Sequence, residues 1–225
     1  MYKILITIVS ISIFFIFFSP SLKGDETNKQ DQTLFNIDEI KSGGYGGPEI
    51  QISNIKNELG LMVGGRGGWI INSSFSIGGG GWGLVTNHEI KDYWKESKNR
   101  QQLYNLADTN KTVYLRAGWG GLILEYINSS EKLVHFTVNL LVGAGGATYT
   151  ISNRNNNDFM ADRSLESSAF AILQPGIGVD LNITKAFRLE FGINYRLIYG
   201  VELWKLGNSD LSGLSGGLVF KFGKF

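Results

Sequence analysis

Residues 186–201 read AFRLEFGINYRLIYGV, and the rest of the fold is interpreted from this stretch. Apolar side chains occupy its odd positions: Phe187, Leu189, Phe191, Ile193, Tyr195, Leu197, Tyr199 and Val201. Polar residues or glycine occupy even positions: Arg188, Glu190, Gly192, Asn194 and Arg196. Because successive side chains of a strand point to opposite faces, this alternation predicts a strand with one apolar and one polar face. An ordinary soluble strand has about five or six residues, so this longer one favours a lipid-facing side and a polar lumen.

Seven further segments show a strand-like pattern and bring the total to eight: residues 47–54, 59–71, 75–86, 112–127, 133–151, 169–183 and 214–225. The turns after the second, fourth and sixth strands are very short, whereas the connections after the third, fifth and seventh are long. Outer-membrane barrels combine short periplasmic turns with long external loops. The sequence therefore predicts an all-β fold, a closed up-and-down antiparallel transmembrane β-barrel of eight strands. The alternative is an exported soluble β-sandwich.

The N-terminus has the pattern of a targeting segment. Lys3 precedes the apolar run ILITIVSISIFFIFF, which has the size of a signal-peptide core and is short for a membrane helix. We predict a signal peptide over residues 1–24, cleaved between 21 and 24, with an uncleaved anchor as the alternative. Residues 25–43 are predicted to form a flexible periplasmic lead-in, and residues 44–225 to form the barrel.

Composition excludes several classes of protein. The 225 residues carry a formal net charge of +1, so nothing suggests a nucleic-acid partner. A mean hydropathy of −0.03 is too low for a bundle of membrane helices. The absence of cysteine excludes disulfides and thiol chemistry, and single, separated histidines predict no metal site. No cofactor is expected.

The alternation assigns a face to each strand. On the fourth strand it puts Arg116 in the lumen and a set of apolar residues toward lipid: Val113, Leu115, Ala117, Trp119 and Ile123. Four glycines also fall on the predicted lipid face: Gly65, Gly67, Gly79 and Gly81. Inward glycines of strands two to five are expected to leave room for long side chains from elsewhere in the wall.

The predicted lumen is rich in charge of both signs. Its candidates are Glu49, Arg66, Arg116, His135, Asp180, Arg188, Glu190, Arg196 and Lys221. Because a buried charge must be paired or meet water, mixed signs indicate a plug of ion pairs. A narrow channel or small-solute transporter with the same lining is the alternative.

The last strand reads SGGLVFKFGKF and ends on Phe225, with Phe220 and Phe222 in alternation before it. It resembles the aromatic-ended terminal strand that bacterial outer-membrane barrels present to the barrel-assembly machinery. Residues 44–225 resemble the small eight-stranded OmpA-like and OmpX-like barrels. This resemblance implies a location in the bacterial outer membrane and contact with outer-membrane lipid. It also implies that the assembly machinery and periplasmic chaperones are partners during biogenesis.

Two further features bear on function. The long connection after the third strand contains Tyr93, Trp94 and Tyr104, which we interpret as exposed contacts for an unknown surface ligand. The triplet His135-Phe136-Thr137 resembles the His-x-Ser pair of outer-membrane lipid A deacylases, with threonine in place of serine. Because no partner that would orient the base can be named, we predict a non-enzymatic protein with a structural or surface-interaction role. A lipid-modifying enzyme is the second alternative. His88, at the start of the loop, is predicted to be a surface residue.

Overall fold

The computed structural model describes residues 41–94, 111–151 and 163–225. Eight long strands make up the wall: β1 (Ser42–Ile55), β2 (Glu58–Ile71), β3 (Phe75–Leu84), β4 (Val113–Ile127), β5 (Val134–Ile151), β6 (Arg163–Thr184), β7 (Phe187–Tyr199) and β8 (Gly213–Lys224). A two-residue strand, His88–Glu89, pairs with the start of β4, and a short helix α1 spans Asn208–Leu211. The predicted signal peptide and residues 25–40 of the predicted lead-in lie outside the described residues.

The eight strands form a closed ring. Each strand pairs antiparallel with its neighbour in sequence, β3 pairs with β4, and β1 pairs with β8. Trp82 lies opposite Trp119 across β3 and β4, and Ile52 lies opposite Gly216 across β1 and β8. The predicted all-β, up-and-down, eight-stranded barrel is therefore confirmed. In the described ranges, no helix is long and apolar enough to cross a membrane.

The connections differ between the two ends of the ring. Residues 72–74, 128–133 and 185–186 form short turns at one end, and residues 85–112, 152–162 and 200–212 connect strands at the other. The β1–β2 turn shares the loop end; its Lys56 and Asn57 have φ of 50° and 64°, the left-handed conformation of a tight hairpin. By the rule for bacterial barrels, the short-turn end faces the periplasm and the loop end faces outward.

The outer surface of the ring is an apolar band. Its exposed large side chains include Ile50, Ile52, Val63, Trp69, Phe136, Ile177, Val179, Phe191, Ile193 and Phe222. A soluble protein buries such residues, whereas a membrane barrel turns them toward lipid. The molecule is thus a transmembrane β-barrel of the bacterial outer-membrane type.

Strand β4 corrects one prediction. Val113, Leu115, Ala117, Trp119 and Ile123 all point inward and are buried, so their assignment to the lipid face was wrong. Arg116 consequently lies on the outer side of the wall, where its Nη1 donates to Asn87 Oδ1 at 2.8 Å. The assignment failed because the lumen of this barrel is apolar near its extracellular end, so polar-in alternation does not hold there.

Several boundaries also differ from the prediction. Strand β1 begins at Ser42, five residues before the predicted start at position 47 and within the predicted lead-in. Strand β6 begins at Arg163, six residues before the predicted start at position 169. Strand β7 ends at Tyr199, because Gly200 adopts a φ of 95° and turns the chain. Val201 is therefore buried beneath the loop and does not belong to the lipid face.

Candidate functional site in the lumen

The interior of the barrel has two layers of different chemistry. The layer nearer the periplasm, here the ionic layer, contains the buried residues Tyr45, Glu49, Gln51, Arg66, Glu125, His135, Asp180, Glu190 and Lys221. The layer nearer the loops, here the apolar layer, contains Met62, Trp82, Leu84, Leu115, Trp119, Tyr149, Phe170, Ile172 and Ile198. The structure places eight of the nine predicted lumen residues inside the ring; Arg116 is the exception.

Lys221 lies at the centre of the ionic layer. Its Nζ is 2.8 Å from Glu125 Oε1, 3.1 Å from Asp180 Oδ2 and 2.5 Å from Glu190 Oε2. Tyr45 donates its hydroxyl to Glu125 Oε2 at 2.7 Å. One ammonium group thus joins carboxylates from β4, β6 and β7. Sequence reasoning missed Glu125 because the inverted assignment of β4 put it toward lipid.

Arg66 extends the network to the other side of the lumen. Its Nε lies 3.4 Å from Glu49 Oε2, and its Nη2 donates to Glu190 Oε1. Gln51 Nε2 donates to the second oxygen of Glu49 at 2.7 Å. Since Glu190 contacts both Arg66 and Lys221, the ion pairs form one connected chain across the barrel.

His135 forms the last branch of the network and does not form a catalytic pair. Its Nε2 is 3.5 Å from Asp180 Oδ2, and its Nδ1 is 3.2 Å from the carbonyl oxygen of Lys132. Thr137 Oγ1 is fully buried and makes no hydrogen bond to any described residue. In the resemblance to a His-x-Ser pair, Thr137 would be the nucleophile and His135 its base, but the two side chains make no hydrogen bond to each other.

Small residues make room for these long side chains. A Cβ at Gly178 would lie 2.7 Å from Thr137 Oγ1 and 2.9 Å from Glu190 Oε1, and one at Gly80 would lie 2.9 Å from Arg66 Cβ. All three distances are shorter than real Cβ contacts. Gly178 lies on β6, so the space beside Glu190 is not made by strands two to five alone.

Arg196 is buried and held by hydrogen bonds to uncharged groups. Its Nε donates to Leu211 O at 2.6 Å and its Nη2 to Ser53 Oγ at 3.2 Å, and its guanidinium lies 4.6 Å from the Trp119 ring centroid. In the described part of the chain no carboxylate lies within 4.0 Å of it. Arg196 thus marks the boundary between the two layers and tethers α1 to the wall.

The apolar layer is covered by residues from the loops. Ile90, Leu203, Leu206 and Leu211 are buried against it. Tyr93 is also buried, at 1% exposure, and packs edge-on against Tyr149, Trp94 and Trp204. Its predicted role as an exposed contact is therefore wrong: the ring of Tyr93 is part of the cover over the lumen.

The other two predicted loop contacts have different outcomes. Trp94 is partly buried, and its Nε1 donates to Lys111 O at 2.9 Å. Tyr104 lies outside the described residues.

The periplasmic mouth contains the three terminal aromatic residues. Phe220 and Phe222 point outward, and the ring of Phe222 stacks on Phe187 with centroids 4.8 Å apart. Phe225 turns inward and packs with Tyr45. Whether these residues act as an assembly signal stays a prediction.

A second constellation lies at the extracellular rim. His88 is buried, at 2% exposure, contrary to its prediction as a surface residue. Its Nε2 is 3.0 Å from Thr86 Oγ1 and its Nδ1 is 3.2 Å from Glu58 Oε2. A hydroxyl, an imidazole and a carboxylate in this order have the contacts of a nucleophile, its base and the group that orients the base. The short spacing Thr86-x-His88 was visible in the sequence, but the partner Glu58 comes from the neighbouring hairpin.

Within the described ranges, no group of His, Asp and Glu has the arrangement of a metal site. Three carboxylates of the ionic layer contact Lys221.

No protein-family model matches the sequence, and no curated protein matches it. Among solved structures, the chain is similar to Neisserial surface protein A, with 12% identity, 82% of this chain and 97% of that chain covered, and a TM-score of 0.47. It is also similar to a major outer membrane protein from Thermus thermophilus, with 10% identity, 80% of this chain and 98% of that chain covered, and a TM-score of 0.47. For Ail, the attachment invasion locus protein of Yersinia pestis, the identity is 13%, 81% of this chain and 97% of that chain are covered, and the TM-score is 0.44. All three likenesses concern the fold.

Proposed function

We propose that the protein is an outer-membrane barrel with a closed lumen and a structural or surface-interaction role carried by its extracellular loops. The observation that carries this proposal is the connected ionic layer, in which charged side chains from β1, β2, β4, β6, β7 and β8 contact one another. Such a layer supports a plug, because a passing ion would have to separate charges that are buried and paired.

The plug contains paired charges of both signs. Glu49, Glu125, Asp180 and Glu190 are its carboxylates, Arg66 and Lys221 are its permanent cations, and His135 lies against Asp180. An aqueous channel would favour a lining with room for water. Here the apolar layer lies above the ionic one and provides a second barrier to ions.

The β7–β8 loop above the plug is held in place by hydrogen bonds. Tyr149 donates its hydroxyl to Trp204 O at 2.7 Å, and Gly207 N donates to Asp210 Oδ2 at 2.7 Å within the β7–β8 loop. Recognition residues often lie on loops carried by a rigid scaffold.

Single-channel recording of the purified barrel in a planar bilayer tests the closed lumen. We expect no resolved conductance from the natural protein, and none from the rim variant Lys224→Met. Separating the network with Lys221→Met should produce ion flux if the variant still assembles. Stable openings of the natural protein would favour the narrow channel or transporter instead.

A second candidate function, hydrolysis of an ester at the extracellular rim, is favoured by Thr86, His88 and Glu58. It ranks behind the first because the Glu58 side chain is 57% exposed and Thr86 Oγ1 already accepts a hydrogen bond from Leu61 N at 3.2 Å. A fluorophosphonate probe would label Thr86 in an active enzyme, faster in Thr86→Ser and not at all in Thr86→Val. Equal labelling of all three proteins, or of none, would exclude this candidate.

A further inference from the structure

A cavity at the periplasmic rim lies beside the mouth of the barrel and outside the ionic layer. Its volume is about 590 Å³, and it is open to the surroundings. Three cationic side chains line it, Lys185, Arg188 and Lys224, against the single carboxylate side chain of Glu131. The lining therefore carries an excess of positive charge and suits an anionic group.

Arg188 is the residue that makes this cavity a built site. Its side chain is held in place: Nη2 donates to Ser130 O at 3.1 Å, and the guanidinium lies 3.9 Å from the centroid of the Phe225 ring. Arg188 is 6% exposed, yet no described carboxylate lies within 4.0 Å of it. A guanidinium has five N–H donors in a planar fork, so most of its donors remain for a ligand.

The height of the cavity along the barrel defines the class of ligand. Ile183, which faces lipid, lines the same cavity as Lys185. The stacked pair Phe187 and Phe222 lies on the outer wall at this end of the strands, where membrane barrels carry their girdle of interfacial aromatics. The cavity is thus level with the headgroups of the periplasmic leaflet.

We propose that this cavity binds the phosphate of an anionic phospholipid headgroup from the periplasmic leaflet. The fork of Arg188 binds two phosphate oxygens, as guanidinium groups do in phosphate sites. Lys185 and Lys224 supply point charges at the rim, and Ile183 contacts the upper part of the acyl chains. The backbone carbonyl of Ser130 and the ring of Phe225 keep the fork aligned.

Native mass spectrometry of the intact barrel, released from detergent with dioleoyl phosphatidylglycerol, tests the proposal. We expect one retained lipid per barrel and weaker retention of zwitterionic dioleoyl phosphatidylcholine. Arg188→Met should weaken phosphatidylglycerol binding by about tenfold or more, because charge-assisted hydrogen bonds are lost. Arg188→Lys should recover only part of the affinity, since an ammonium lacks the fork.

Two controls keep the test decisive. Lys41 lines a neighbouring cavity and not this one, so Lys41→Gln should leave binding unchanged. If Arg188→Met does not assemble, the double variant Lys185→Gln/Lys224→Gln should still lower affinity severalfold, with folding checked by heat-modifiable gel mobility. Competition with inorganic phosphate separates the sources. Displacement of the lipid only at large excess supports a headgroup site, whereas preferential binding of free phosphate, or no binding of either, would overturn it.

Discussion

The two layers of the lumen use opposite chemistry to close the same barrel. In the ionic layer each charged group depends on a particular partner, as Lys221 does on Glu125 and Glu190. In the apolar layer, residues such as Met62 and Leu115 need no particular partner; they stabilise the barrel by filling its interior volume with apolar atoms. The difference teaches that inward polarity in this barrel follows depth in the membrane and not the strand face alone.

Strand β4 makes the same point within one element. Its inward face carries Leu115 and Trp119 in the apolar layer and then Glu125 in the ionic layer. The inward side chains of β4 therefore change from apolar to charged partway along the strand, while they remain on the same face.

Replacing the central cation should have the largest effect. Lys221→Met leaves Glu125, Asp180 and Glu190 buried without their shared partner, and we expect a loss of about 3–5 kcal/mol in the free energy of unfolding. Urea unfolding in lipid vesicles measures it, with Lys41→Met, an exposed lysine outside the proposed lipid site, as the control. A loss no larger than that of the control would show that the ionic layer is not held by pairing.

Shortening a side chain of the apolar layer should have the second largest effect on the free energy of unfolding. Leu115→Ala removes a fully buried side chain, and we expect a loss of about 2–5 kcal/mol from lost burial and the remaining cavity. Leu122→Ala on the lipid-facing side of the same strand is the control and should have a smaller effect. If the order of the two is reversed, the inward face of β4 is assigned wrongly.

Removing the boundary cation should cost less than removing Lys221. Arg196→Met leaves no described carboxylate without its partner and places a thioether beside Met62 and Trp119. We therefore expect the free energy of unfolding to change by no more than about 2 kcal/mol. The same urea titration measures it. A loss equal to that of Lys221→Met would mean that Arg196 has an ionic partner in the working protein.

A comparison of two glycines should give the smallest effect of all at Gly83. A methyl group at Gly178 would crowd Glu190 and Thr137, so Gly178→Ala should cost about 1–3 kcal/mol. Nothing lies within 4 Å of a Cβ at Gly83, so Gly83→Ala should stay within about 0.5 kcal/mol of the natural protein. Thermal unfolding in detergent compares the pair. Equal losses would argue that backbone freedom, and not space inside the lumen, explains the glycines.

Much of the fold could be predicted from the sequence, because period-two alternation and loop lengths are local properties. The alternation of residues 186–201 predicts the outward Phe191 and Ile193 and the inward Glu190 and Arg196 that the structure contains. Where both faces of a strand include apolar residues, as on β4, the pattern defines two faces but not which of them is inside.

A membrane-type barrel of eight strands and most of the charged groups in its lumen can be predicted from the sequence, because each follows from side-chain parity. Which charges meet depends on the folded ring, since Lys221 contacts residues that are 31 to 96 positions distant along the chain. The folded ring also decides that Tyr93 and His88 are buried, since loop residues acquire their surroundings from strands that are remote in sequence. The face on which a side chain lies is a property of one strand. Which charges pair, and which loop residues are buried, depends on the closed ring of strands.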